Sequence, residues 1–202
     1  MNILMAGKPD QSTEINKTDC ELIKDFKRGD ESAFSQIVLR YQKRLIQVAT
    51  AVLNNEDEAM DMVQETFVKA YFNLKSFREE STLYTWLYRI LYNFCISSLR
   101  RKKIVPFLSF DTEREDFHFP SHSPDPEDEF ERKEIMSAVK NALKELPVKQ
   151  RMVFAMKQFN DLKHDEIAEA MGLTVGAVKA SYFHAVRKLR EKLKHYRGNY
   201  EV

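Results

Sequence analysis

From Ser81 to Lys103 the chain reads STLYTWLYRILYNFCISSLRRKK, with no proline or glycine to interrupt it. Such a stretch suits a long helix, because neither a missing N–H nor a flexible backbone weakens its interior. Leu83, Leu87, Ile90, Leu91 and Phe94 recur at helical spacing and define an apolar stripe that needs a partner. Tyr84, Tyr88 and Tyr92 repeat every fourth residue on another face, beside Arg89 and Asn93, and the stretch ends in the cations Arg100 to Lys103. Aromatic faces stack on bases at roughly 1–3 kcal/mol each while cations track phosphates, which is what single-stranded nucleic acid requires. An ordinary packed helix with a solvated basic tail has the same pattern. This helix alone leaves both readings open.

Only 5 glycines and 6 prolines occur in 202 residues, and apolar residues tend to recur every three or four, so the sequence predicts an all-α protein. The net charge of +1 says little, but its distribution is uneven. Residues 1–103 carry 16 Lys+Arg against 14 Asp+Glu, residues 104–134 carry 3 against 10, and residues 135–202 carry 13 against 7. An acidic segment therefore divides two small helical domains, the second one basic. The expected organisation is a loose leader over residues 1–18, a first domain over 19–103, a linker over 104–128 and a second domain over 129–202.

The linker holds Pro106, Pro120, Pro124 and Pro126 among acidic residues and scattered phenylalanines, and cannot pack a core of its own. Fully extended it would reach roughly 80 Å, so the two domains could sit far apart. His118 and His122 lie in it without a partnering ligand cluster, and Cys20 and Cys95 fit no metal or redox spacing. The sequence therefore predicts no metal, no cofactor and reduced thiols. No apolar run approaches the length of a membrane span and the start lacks the apolar core of a signal peptide, so a soluble, cytoplasmic protein without membrane insertion is expected.

In the first domain, Thr18 or Asp19 can cap a helix that stops near Gly29, and Asp30 or Ser32 can cap the next. That second helix carries a stripe from Phe34 to Val52 and breaks at Asn54-Asn55. A third spans Glu56 to Leu74, burying Ala59, Met62, Val63, Thr66, Phe67, Ala70 and Tyr71. It leaves Asp61, Gln64, Glu65 and Lys69 outside, which on their own read as a solvated face. A short polar connection then carries Phe77 and Arg78 towards the Trp86 helix.

The second domain starts with a helix over Glu129 to Glu145, interrupted by Leu146-Pro147, with Pro147 in the first turn of a helix from Val148 to Phe159. A short helix from Lys163 to Met171, Gly172, and a longer helix from Val175 to about Tyr196 capped by Thr174 describe a helix-turn-helix. Its second helix would lie in the major groove of duplex DNA, Lys179, Ser181, His184 and Phe183 meeting base edges. Arg187, Lys188, Arg190, Lys192 and Lys194 follow, some of them placed to hold phosphates. On their own His164, His184 and His195 read as surface or packing residues. Asp165 and Glu166 point apart on a helix, and no nucleophile–base set or phosphate loop appears, so no catalytic residue and no enzyme is predicted.

The stretches DEAMDMVQETFVKAYFNLKSF and STLYTWLYRILYNFCISSLRRKK resemble region 2 of a bacterial sigma factor, and LPVKQRMVFAMKQFNDLKHDEIAEAMGLTVGAVKASYFHAVRKLREKL resembles region 4. With these two regions and a short linker, the chain is similar to the extracytoplasmic-function (ECF, group 4) RNA polymerase sigma factors of the sigma-70 family. The resemblance implies a region 2 helical bundle and a region 4 helix-turn-helix that bind core RNA polymerase and direct promoter-specific initiation. Asp61, Gln64 and Glu65 would dock on the β′ clamp helices, replacing the solvated reading of that face, and region 4 would meet the β flap. The loop from Phe77 to Tyr84, with Arg78, and the helix bearing Trp86, Tyr88, Arg89, Asn93, Arg100 and Arg101 would capture the minus-ten element as a single strand, one base flipping into a loop pocket. Thr174, Lys179, Ser181, Phe183, His184, Arg187 and Lys188 would read the minus-thirty-five element as duplex. The acidic linker would thread polymerase channels, and an anti-sigma factor would hold the protein silent.

The family often has an acidic residue at Ser97, glycine at Glu79, Ser-Arg at Ala180-Ser181 and a basic residue at His184. Losing an arginine there removes a bidentate donor for guanine and changes the preferred minus-thirty-five sequence. The runner-up reading is a helix-turn-helix regulator with a sensing or dimerising first domain. It predicts tight operator binding without polymerase.

Overall fold

The computed structural model describes residues 17–104, 134 and 137–194. The expected leader up to residue 16, and the linker from residue 105 onward with His118 and His122, lie outside the described residues. Among the described residues eight helical segments follow one another: α1 (Asp19–Lys27), α2 (Glu31–Leu53), α3 (Glu56–Leu74), α4 (Leu83–Ile104), α5 (137–144), α6 (Val148–Asn160), α7 (His164–Met171) and α8 (Val175–Lys192). No strand occurs among the described residues.

Local chemistry sets the boundaries. Thr18 Oγ1 accepts from the Glu21 N–H at 3.3 Å while the Glu21 carboxylate accepts from the Thr18 N–H at 2.7 Å, a reciprocal capping box. The Thr18 N–H and the Thr18 hydroxyl, both donating to it, hold the Glu21 carboxyl below its ordinary pKa. Asp30 accepts from the Ser32 N–H at 3.0 Å to start α2, and Asn54 ends it in the left-handed region at φ 56°. Asn55 then caps α3 by accepting from the Glu58 N–H at 2.9 Å. Caps of this type are worth about 1 kcal/mol each.

Some boundaries move by one to four residues. α4 starts at Leu83 because Thr82 Oγ1 accepts from the Thr85 N–H at 3.1 Å. Pro147 sits at the cap of α6, its carbonyl accepting from the Arg151 N–H at 3.0 Å, and α6 runs on to Asn160 before Asp161 turns left-handed at φ 51°. α8 ends at Lys192, and residues beyond 194 lie outside the described part.

α2 is the hub, touching α1, α3, α4 and α6. Its early turns bury one stripe, Ala33, Ile37, Tyr41 and Leu45, but every side chain from Val48 to Leu53 is buried. A helix buried all round must have neighbours on opposite sides. On one side stand α3 and α4; on the other lies α6. Arg151 near the start of α6 bonds to the Val52 carbonyl and Asn160 at its end bonds to the Arg44 carbonyl, so α6 runs antiparallel to α2. α7 lies against α4, and α8 covers α6 and α7.

The sequence allowed the halves to stand far apart. In the structure they share a continuous core that includes Leu45, Val52, Leu87, Leu91, Met152, Met156, Leu162 and Ile167. The linker sets only how far they can separate, while the apolar faces decide where they rest. A smaller cluster of Ala142, Leu143, Leu146, Ala185 and Leu189 ties α5 to α8.

Candidate nucleic-acid interface

The loop between α3 and α4 is tied down from α1. Lys27 Nζ donates to the Phe77 carbonyl at 2.7 Å, and the Phe77 ring lies tilted on Trp86 with centroids 4.9 Å apart. Phe77 is buried, whereas the Arg78 side chain is 84% exposed beside Glu80. Glu79 adopts φ 58°, the left-handed region that favours glycine. Its carboxylate sits 3.8 Å from Lys27 Nζ and accepts from Cys20 Sγ at 3.6 Å. This explains why a glycine suits the position in similar loops. Glu79→Gly is expected to leave stability within about 1 kcal/mol of the parent, relieved strain offsetting the entropy gained by the unfolded chain. Glu79→Val, β-branched, should lower it by about 2 kcal/mol. Urea midpoints of the two variants check this, and equal midpoints would refute it.

On α4 the aromatic row does not face solvent as a set. Tyr84 Oη donates to the Asn160 carbonyl at 3.1 Å, and its ring meets Tyr41 at 5.6 Å and Tyr88 edge-on at 4.7 Å. The Arg44 guanidinium lies 5.9 Å from the centre of the Tyr84 ring. Burial raises the Tyr84 hydroxyl pKa. Tyr88 is 0% exposed, its hydroxyl makes no well-aligned hydrogen bond and has the Tyr84 side chain as its polar neighbour, and burial pushes its pKa well up. Arg89 donates to the Glu169 carbonyl at 3.0 Å and meets its carboxylate at 3.4 Å.

Tyr84, Tyr88 and Arg89, which the resemblance assigns to the opened strand, are here buried or engaged by Asn160 at the end of α6 and Glu169 on α7. Tyr88 belongs to the core in this state. Trp86 stays half-buried, and Asn93, Arg100 and Arg101 stay exposed. The neighbouring Lys102 is committed to Glu58 at 2.7 Å, as is the Ser98 hydroxyl, which also bonds to Glu58. Burial, with Glu58 nearby, pushes the Cys95 thiol up to about 12.

Sequence reasoning placed Tyr41 in the apolar stripe of α2, where it is buried, but missed Arg44 beside it. Tyr41 packs on Tyr84 and bonds to Asp19, while Arg44 lies over the Tyr84 ring. The repeat of Arg40 and Arg44 at four residues was a legible signal, hidden by attention to the apolar stripe of α2.

The helix-turn-helix is built from caps as well. Glu166 accepts from the Lys163 N–H at 2.7 Å at the start of α7, Gly172 ends it at φ 63°, and Thr174 Oγ1 accepts from the Ala177 N–H at 3.2 Å. Along α8 an outward row exposes Gly176, Lys179, Ala180, Phe183, His184, Arg187 and Arg190. Phe183 is 62% exposed, with the Arg187 guanidinium 6.0 Å from its ring centre. Ser181 is half-buried, and Lys188 turns back to the Glu145 carbonyl at 2.9 Å. Tyr182 stacks inward on Phe154 at 6.2 Å. Lys179, Phe183, His184 and Arg187 thus share a face, which Lys188 leaves.

Asp61, Gln64 and Glu65 are all exposed on α3. Beside them α2 and α3 frame an open, largely apolar groove of about 650 Å³, lined by Phe34, Val38, Ile46, Met60, Phe67 and Phe72 among others, with Gln64 on its wall. Phe72 and Leu39 are 75% and 70% exposed, so the area is an apolar surface and not a closed core. Among the described residues no group of three or more His, Cys, Asp or Glu could hold a metal ion.

Comparison with known proteins follows the same division. The family model of sigma-70 region 2 matches residues 37–104, and that of sigma-70 region 4 matches residues 136–189. The RNA polymerase sigma-H factor of Pseudomonas aeruginosa is 33% identical over 172 residues, covering 83% of this chain and 89% of that protein. The ECF RNA polymerase sigma factor SigW of Bacillus subtilis is 32% identical over 177 residues, covering 85% and 95%. Among solved structures, the sigma factor RpoE in complex with the anti-sigma factor NepR from Bartonella quintana superposes with a TM-score of 0.66 at 27% identity, over 80% of this chain and 96% of that one. CnrH in complex with the cytosolic domain of CnrY shares the fold, with a TM-score of 0.62 at 24% identity over 86% and 96%. With both regions matched in order and full-length relatives of this similarity, the chain belongs to the ECF RNA polymerase sigma factors of the sigma-70 family.

Proposed function

We propose that this sigma factor docks on the β′ clamp helices through the exposed face of α3, grips the minus-ten strand with the loop before α4 and with α4 itself, and reads the minus-thirty-five duplex with α8. The observation that carries the reading is the outward row Lys179, Phe183, His184 and Arg187 on α8, on the same chain as the Phe77–Trp86 loop and the Arg100-Arg101 terminus. The protein works in the cytoplasm, beside core enzyme; no helix among the described residues is long and apolar enough to cross a membrane. An anti-sigma factor is the expected regulator, as the solved RpoE is held by NepR.

Strand opening needs no nucleotide hydrolysis on this chain. Unstacking costs about 1.4 kcal/mol per step, and each base held on an aromatic face returns roughly 1–3 kcal/mol. Capturing a few bases shifts the melting equilibrium, because the protein binds the open form preferentially. Arg78, Arg100 and Arg101 would add phosphate contacts that weaken with salt.

Adding purified protein to bacterial core polymerase and sequencing the transcripts made from genomic DNA tests the assignment. Initiation from a defined promoter set is the expected result, and none would sink it. On the docking face, Glu65→Lys should weaken the complex with core enzyme about tenfold, since it places a cation where a carboxylate complements the partner. An unchanged dissociation constant by fluorescence anisotropy would move the docking site elsewhere.

A further inference from the structure

We infer that Lys27, on α1, is a positioning residue for strand capture: it sets the shape of the loop that takes the minus-ten strand and offsets that loop's own negative charge. The Phe77 N–H bonds to the Leu74 carbonyl at 3.2 Å, and Thr82 caps α4. Between them, residues 78–81 make no backbone hydrogen bond among the described residues. Arg78 and Glu80 pair with each other at 3.9 Å, out in solvent. The segment is therefore held from α1. The Lys27 ammonium donates to the Phe77 carbonyl at 2.7 Å, where the loop begins, and lies 3.8 Å from the Glu79 carboxylate. Cys20, two turns earlier on the same face of α1, donates to the other Glu79 oxygen at 3.6 Å. The Lys27 and Glu79 side chains are 32% and 40% exposed, so water screens the ion pair and the bond to the carbonyl does more of the holding.

Glu79 gives Lys27 a second task. A carboxylate in a loop that must approach a phosphate chain repels it. Two contacts from α1 draw this carboxylate onto the helix and offset its charge, which a glycine at the same position would not require. Phe77 links the anchor to the stacking platform, because its ring lies on Trp86 at 4.9 Å. A displaced Phe77 therefore displaces the surface on which bases stack. Lys27 itself touches no base; it acts through Phe77 and Glu79. The inference rests on the reading of the Phe77–Tyr84 loop as strand-gripping, and its test separates the two.

Lys27→Met removes the charge and the donor but keeps the length of the side chain, and Lys27→Arg restores both. Trp86 is the chain's one tryptophan, so its fluorescence reports on the loop in the full-length protein without DNA. Acrylamide quenching should rise in Lys27→Met and return to the parental level in Lys27→Arg. With core polymerase, at a promoter found by transcript sequencing, the permanganate-reactive bubble should fall about tenfold in Lys27→Met, the size of one charge-assisted hydrogen bond. It should recover in Lys27→Arg, with polymerase affinity unchanged in both. Parental quenching in Lys27→Met would overturn the inference, as would a bubble lost in both variants or a weakened polymerase complex. A looser Trp86 with a parental bubble would overturn it too, and Trp86→Ala at the same promoter then assigns the fault. If Trp86→Ala closes the bubble, the loop reading stands and only the role of Lys27 falls; if the bubble persists, strand capture lies elsewhere.

Discussion

Trp86→Ala is expected to abolish strand opening at a promoter while leaving affinity for core polymerase unchanged. The indole is half-buried and lies against Phe77, whose carbonyl is anchored by Lys27. Removing it takes away an aromatic platform, at roughly 1–3 kcal/mol per stacked base, and also the surface that fixes the Phe77 loop. The two losses act on the same step. Together they reach about 3 kcal/mol or more, a fall of at least about a hundredfold in the open complex, since each 1.4 kcal/mol is tenfold. Asp61, Gln64 and Glu65 lie on α3 and do not depend on Trp86, so the complex with core enzyme should form as before. Permanganate reactivity of unpaired thymines at a promoter found by transcript sequencing is the measurement. A bubble of parental intensity would show that strand capture lies elsewhere, and a lost polymerase complex would show that α4 and α3 are not separable in function.

The helix ends were legible because they are local. Thr18, Asp30, Asn55, Gly172 and Thr174 cap or stop helices through bonds that span at most a few residues, and any sequence window contains all the partners involved. The outward row of α8 was legible for the same reason, since helical period alone places Lys179, Phe183, His184 and Arg187 together.

What the sequence did not reveal was the second partner of α2 and α4. Tyr84 meets Asn160 across 76 residues of chain and Arg151 meets Val52 across 99. No periodicity reports a contact of that separation. Its trace was present as a run without period, Val48 to Leu53, where apolar and small residues follow one another because solvent reaches neither side. On α4 the buried stripe continues through Cys95 and Ser98, not through Phe94, so the stripe drawn from Leu83 to Phe94 drifts off the core at its end. A second neighbour also widens it to take in Tyr88.

That position makes Tyr88 the test of how much of the aromatic row is core. Tyr88→Ala removes a fully buried ring packed edge-on to Tyr84, and should cost about 3–5 kcal/mol, the range for emptying a large aromatic site. Loss of strand opening in that variant would follow from a damaged fold and could not identify a DNA contact. Tyr88→Phe separates the two roles. The hydroxyl is buried with only the Tyr84 side chain as polar neighbour and no well-aligned hydrogen bond, so deleting it relieves a desolvation cost that is at most partly offset and should leave the chain as stable as the parent or up to about 1 kcal/mol more so. Urea unfolding followed by far-UV circular dichroism measures both. If Tyr88→Ala unfolds at the parental midpoint, the ring is not held in the core in solution. If Tyr88→Phe is destabilised by 1 kcal/mol or so, the hydroxyl has a partner after all, and the row of Tyr84, Tyr88 and Arg44 is arranged differently in the dissolved protein.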